Sequence, residues 1–243
     1  YKSNDGVLFS YNCKEILVYP GGKQDSSYTI PEGVIMLASG AFHNTKALND
    51  VIMPNTVLIV NTYCFEGCAN LNHLELSNNL IRIDDCAFCL CTSLTSVSLP
   101  QSLVFIGPYS FLGCSNLHTI VVDSNNEHYK SVDGVLFSSD MSSLIQYPIA
   151  NERTTYEVPS GVTAIESGSF RNCSNLIKIV LPSTLQFIRS FAFYECTNLM
   201  IINIPNSVEI IEMGAFGVCT NLITISIPSN VHLIGELAFT QCV

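Results

Sequence analysis

The sequence predicts an α/β solenoid, and three observations predict it: a 23-residue internal repeat, a 128-residue repeat laid over it, and an apolar composition with few charges. Phenylalanine marks the short period. Phe42, Phe65, Phe88 and Phe111 are 23 residues apart, as are Phe170, Phe193, Phe216 and Phe239, which makes eight repeats. Eleven residues before each Phe stands Pro or Ser, from Pro31 to Pro228, with Ser77 the one Ser. Three residues after each Phe stands Cys, except at Thr45, and six after it stands Leu wherever the chain reaches that far. A unit this short cannot bury such a row of apolar positions alone. Stacked copies can, because strands paired at ~4.7–4.9 Å lay like residues over like residues.

Each element of the repeat follows from its spacing. At Leu199–Pro205 the alternation sets Ile202 and Ile204 on one face and Ile201 and Asn203 on the other, as a short strand requires. Pro205 closes that strand, since proline has no N–H to continue a ladder. The spacing Phe-x-x-Cys-x-x-Leu is near three residues per turn and predicts a short helical or 3₁₀ turn. About ten coils result once two widened ones are counted.

The widened coils come from the second period. Asp5–Ser10 with Tyr19–Pro20 recurs as Asp133–Ser138 with Tyr147–Pro148, and Phe42 to Phe170 is also 128 residues. The chain therefore reads as one solenoid over 1–243, duplicated as 1–128 and 129–243. The runs Gly134–Ser138 and Leu144–Tyr147 are β-prone and separated by a polar stretch, which predicts hairpin inserts at about 5–20 and 133–148. The start at Tyr1, without Met or a signal-peptide pattern, suggests a piece of a longer protein.

The repeat resembles the 23-residue leucine-rich repeat of the BspA-like, or Treponema pallidum-type, class over essentially the whole chain. The Asp-Gly-Val-Leu-Phe-Ser insert is similar to inserts between such repeats. The resemblance implies a right-handed leucine-rich-repeat superhelix with a parallel sheet of stacked short strands. It brings no catalytic residues. It departs from the general leucine-rich consensus at the Asn site, where Gly33, Thr56, Asn79, Ser102, Gly161, Thr184, Ser207 and Asn230 stand. Members are typically surface or secreted proteins of host-associated bacteria and parasitic protists, implicated in adhesion. The implied location is thus cell surface or secreted, with a cytoplasmic one left open.

Charge and motifs narrow the function classes. With ten Lys+Arg against 20 Asp+Glu, a net charge of -10, the chain lacks the basic clusters that hold nucleic acid or anionic membranes. No stretch approaches the ~20 apolar residues of a membrane span. Neither G-x-x-x-x-G-K-[ST] nor G-x-G-x-x-G is present, nor a nucleophile motif, so no enzyme and no cofactor is expected. Seven of eleven cysteines share one repeat position and read as a buried thiol ladder, since free Cys behaves as a small hydrophobe. Cys13, Cys64, Cys86 and Cys89 lie off that ladder. No second Cys/His pair at zinc spacing accompanies Cys86, Cys89 and Cys91, so no metal is expected. The five histidines fall at different repeat positions, with His73 and Glu75 the one close ionic grouping on a strand.

A ligand of a solenoid is read by its outward strand positions. Along the stack these are Asp50 and Ile52, His73 and Glu75, Ser96 and Ser98, Thr119 and Val121, Lys178 and Val180, Ile201 and Asn203, and Thr224 and Ser226. Small hydroxyls with Ile and Val suit a broad protein contact better than a metabolite pocket, which needs concavity and convergent polar groups. Tyr129, Phe137 and Tyr147 in the inserts are alternative contacts. The expected function is a non-enzymatic protein–protein interaction module for cell-surface adhesion, binding a host extracellular-matrix or cell-surface protein. The alternative is a structural spacer or cell-coat repeat without a specific ligand.

Overall fold

The structure, a computed structural model, describes residues 1–242. The chain divides into two compact units, Tyr1–Tyr129 and Lys130–Val243. Each is built from coils whose short strands fall in two rows, most coils contributing one strand to each row.

In the first unit one seven-stranded sheet takes Lys2–Asn4, Val7–Phe9, Glu15–Val18, Met36–Leu37, Ile59–Val60, Arg82–Ile83 and Phe105–Ile106 in order. The first three strands are the insert and pair antiparallel; the rest are parallel. A second row holds Ser27–Thr29, Asp50–Ile52 and His73–Glu75 in one sheet and Ser96–Leu99 with Thr119–Val122 in another. The other unit repeats the plan. Its insert strand Val135–Ser138 pairs antiparallel with Ser143–Gln146, which pairs in parallel with Ala164–Ile165, followed by Phe187–Ile188, Ile210–Ile211 and Leu233–Ile234. Its second row is Thr155–Glu157, Lys178–Val180 and Ile201–Asn203. Parallel register is one repeat long between regular coils, as at Met36↔Ile59 and Asp50↔His73, and two residues shorter where an insert strand meets the first of them, at Glu15↔Met36 and Ser143↔Ala164.

Stacking in register turns each repeat position into a ladder. Phe42, Phe65, Phe88 and Phe111 are buried, with successive ring centroids 4.7, 5.3 and 5.7 Å apart and planes within 14°. The ladder starts one coil earlier than the phenylalanine spacing shows, because Tyr19 stacks on Phe42 at 5.2 Å. Tyr147 does the same on Phe170 at 5.0 Å. Tyr19 and Tyr147 thus hold the marker position of the widened coils, and each unit has five stacked rings. Such near-parallel stacking adds about 0.5–1.5 kcal/mol per pair to the burial of each ring.

The predicted helical turns are not formed: among the described residues the secondary structure is strand and turn, so the α/β class gives way to a β-solenoid. The reason lies in how the amides around each Phe are shared. The N–H groups of Cys64, Glu66 and Cys68 donate to Asn61, Tyr63 and Phe65, three residues back, whereas those of Tyr63, Phe65 and Gly67 donate to Asp85, Ala87 and Cys89 of the following coil. A 3₁₀ helix needs consecutive i→i−3 bonds. Here every second amide is taken by the neighbour, and the segment is a zigzag of turns. That zigzag needs left-handed backbone two residues before and two after each marker Phe: Gly40 and Asn44, Tyr63 and Gly67, through to Gly214 and Val218. Gly67 supplies its φ of 72° without penalty, whereas Val218 at 59° is a β-branched residue in a region that costs L-residues about 1–2 kcal/mol.

Candidate functional site

The cysteine ladder is structural, and its sulfurs do more than fill space. Cys68, Cys91, Cys114, Cys173, Cys196 and Cys219 are buried. The thiol of Cys68 donates to the carbonyl of Phe42 in the preceding coil at 3.0 Å, and Cys91, Cys114, Cys196, Cys219 and Cys242 repeat this bond to Phe65, Phe88, Phe170, Phe193 and Phe216 at 3.0–3.2 Å. Burial pushes these thiols up, Cys114 and Cys219 to about 12, which removes the nucleophilic thiolate. Among the described residues no three His, Cys, Asp or Glu side chains converge to hold a metal ion.

The insert aromatics do not face solvent as contacts. Phe137 and Tyr147 are fully buried, because the insert strands pack as part of the sheet and Tyr147 sits in the ring ladder. Tyr129 is half-buried, its hydroxyl accepting from the Ile106 N–H at 2.8 Å.

The outward strand positions remain. In the first unit Ile52 and Thr119 are half-buried, while His73, Glu75, Ser96, Ser98 and Val121 are exposed. The partner of His73 is Asp50 of the preceding coil, with Nδ1 2.5 Å from Oδ1, and not Glu75 two residues along. Ser27 Oγ donates to the other Asp50 oxygen at 3.0 Å. The His73 bond, with help from Ser27 and against a burial effect, holds the Asp50 carboxyl below its ordinary value. Beyond His73–Glu75 the row breaks, since Ser96–Leu99 belongs to a separate sheet. A groove of about 450 Å³ lies there, lined by His73, Glu75, Asn78, Ser98, Val121 and Asp123 together with neighbouring Leu and Pro side chains. Imidazole, amide, hydroxyl and two carboxylates meet there beside the Leu and Pro side chains. The break and the groove have no signature in the repeat spacing.

In the second unit Lys178, Val180, Ile201 and Asn203 are all exposed, Val180 by 38% and Ile201 by 49%. Thr224 and Ser226 are exposed but lie in no strand, contrary to the alternation pattern there. The predicted row also omits Ser27, Thr29, Thr155 and Glu157, which are exposed on strands paired with Asp50–Ile52 and Lys178–Val180. Counting back one repeat from Asp50 and Lys178 would have found them, but Tyr28 and Tyr156 replace the usual aliphatic residue between them.

Two ladder-built units with outward strand rows define a repeat scaffold that presents side chains on its sheets. The chain belongs to the BspA type leucine-rich repeat family, whose model matches residues 22–140 and 150–243 in six copies. Among solved structures it is similar to the pneumococcal vaccine antigen PcpA, with 25% identity, a TM-score of 0.78 and coverage of 97% of this chain and 63% of that one. It therefore spans less than two thirds of that antigen. It also shares its fold with a leucine-rich cell surface protein of Faecalibacterium prausnitzii, at 24% identity, a TM-score of 0.56, and coverage of 89% of this chain and 71% of that one. No curated protein matches the chain significantly.

Proposed function

We propose that this chain is a non-enzymatic protein-binding module of a cell surface, adhesive toward a host extracellular-matrix or cell-surface protein through its outward strand rows. Leucine-rich repeat families of this kind are generally protein-interaction modules, and the two similar solved proteins are described as a vaccine antigen and a cell surface protein. The observation that carries the reading is the exposure of Val121, Val180 and Ile201 at 48%, 38% and 49%, apolar side chains on flat sheet positions that the chain's own packing leaves uncovered. Hydroxyls and charges around them supply the polar rim of a protein contact.

The test is surface plasmon resonance against a panel of immobilised matrix proteins. Saturable binding is expected, weakened about tenfold or more by Val180→Asp with Ile201→Asp, a loss of about 1.4 kcal/mol. Binding untouched by Val121→Asp, Val180→Asp and Ile201→Asp overturns the assignment to these rows. A chain that saturates with no partner is a spacer.

A further inference from the structure

We propose that Cys86 and Cys89 form a thiol–disulfide couple, a site of reversible oxidation on the first unit, closed by exchange with a small-molecule disulfide. The two flank Ala87-Phe88 in one turn, where the Cys89 N–H donates to the Cys86 carbonyl at 3.1 Å. The Cα atoms at the ends of such a turn lie within ~7 Å, a range that overlaps the ~4.4–6.8 Å of disulfides. Side chains leaving the two ends of such a turn are close enough to meet, and the Cys86 side chain is among the neighbours that, after burial, push the Cys89 thiol up. The second unit gives an independent view of this geometry: Phe191 and Tyr194 occupy the same two places around Phe193, and their rings meet at 5.4 Å. Neither cysteine belongs to the ladder, where Cys91 is bonded to the Phe65 carbonyl.

Exposure sets the order of events. Cys86 is partly exposed and Cys89 is buried, so attack begins at Cys86. With glutathione disulfide as oxidant, the Cys86 thiolate attacks one sulfur, the Cys86–glutathione bond forms, and glutathione leaves as thiolate and takes up the proton that Cys86 released. Burial holds the Cys89 thiol well above its ordinary value, so this step is the slower one: the Cys89 sulfur attacks the Cys86 sulfur as its proton passes to the departing second glutathione, which leaves as thiol. Two protein thiols are oxidised and one glutathione disulfide is reduced to two thiols. Closure removes the bond from the Cys89 thiol to the Tyr109 carbonyl, present at 3.0 Å, but that carbonyl keeps the Leu112 N–H at 3.0 Å and is not left unsatisfied.

The experiment is to incubate the fully reduced chain with excess glutathione disulfide under native conditions. After an acid quench, thiols are counted in denaturant and the intact mass is read. The wild type should lose two of its eleven thiols and two hydrogens, retain no glutathione, and recover all eleven with dithiothreitol. Cys86→Gly, which places there the residue found at Gly40, Gly168 and Gly214, should lose no pair, and Cys89→Ser should stop at a single glutathione adduct. Cys86→Ser provides a second check with a side chain retained. A wild type that keeps eleven thiols, one that holds glutathione without closing, or a pairwise loss that persists in Cys86→Gly overturns the proposal.

Discussion

In the first unit the outward row is polar and tied across strands, with Ser27, Asp50 and His73 bonded in line and a groove opening beside His73. In the second the row presents Lys178, Val180, Ile201 and Asn203, with Ile177 and Met200 exposed beside it. The interiors, by contrast, repeat the same contacts: Tyr19 and Tyr147 head equivalent ring ladders, and the cysteine-to-carbonyl bond recurs in both. An inward side chain must fit the identical one above and below it, so a change there is felt by two neighbours. An outward side chain meets solvent and is free to differ. The two units therefore share the scaffold and differ at the surface.

Removing a ring from either ladder should have the largest effect. Phe65→Ala and Phe193→Ala should each cost about 3–5 kcal/mol in urea unfolding, because each ring is fully buried between two others. A clear inequality would break the equivalence of the two interiors. Cys91→Ala and Cys196→Ala should cost about 1 kcal/mol each, because a thiol donor is lost while Phe65 and Phe170 keep a backbone donor in Cys68 and Cys173. Val218→Asn should stabilise by about 1 kcal/mol by relieving a β-branched residue of left-handed backbone that Asn44 and Asn172 already occupy, and thermal unfolding would read the gain. Ile201→Asp and Val121→Asp should shift stability by less than about 0.5 kcal/mol while changing binding.

The smallest effect separates the two inserts. Asn12 accepts from Ser10 and Lys14, and its counterpart Asp140 accepts from Ser138 and Ser142. Those bonds lower Asp140 from 3.8 to about 2, Ser138 contributing most. A lowered carboxyl adds stability above its ordinary value that is lost as pH falls toward and through 2. Protection of the second insert's amides from exchange, relative to the unstructured rate at each pH, should therefore fall between about pH 4 and 2, while the Asn12 turn has no such carboxyl to titrate. Asp140→Asn should abolish the difference; an unchanged profile would show that this contact does not govern the turn.

Much of this architecture was legible in the sequence because identical neighbours make a fold periodic. The Phe and Cys ladders, the one-repeat register and the alternation at Ile201–Asn203 all follow from spacing. The two-residue strands such as Ile59–Val60 were not legible, being too short for alternation to register. The ring position of Tyr147 was hidden because an aromatic replaced the marker Phe inside an insert, and reading it as a surface contact was wrong for that reason. The candidate face was partly legible: parity identified Val180 and Ile201, but the loss of a strand at Thr224 and Ser226 and the break beside His73–Glu75 depend on pairing between coils.

The sequence by itself determined which residues point inward and how far apart the coils repeat, since a 23-residue period with fixed Phe, Cys and Leu admits one register. Tertiary structure decided what those residues do. Amides whose spacing suits a helix give alternate hydrogen bonds to the next coil, so the turns stay non-helical. A cysteine that counts as a small hydrophobe becomes a donor to a carbonyl 26 residues back. His73 finds Asp50 across a strand instead of Glu75 along it. In each case the partner comes from the adjacent coil, close in space only once the coils are stacked.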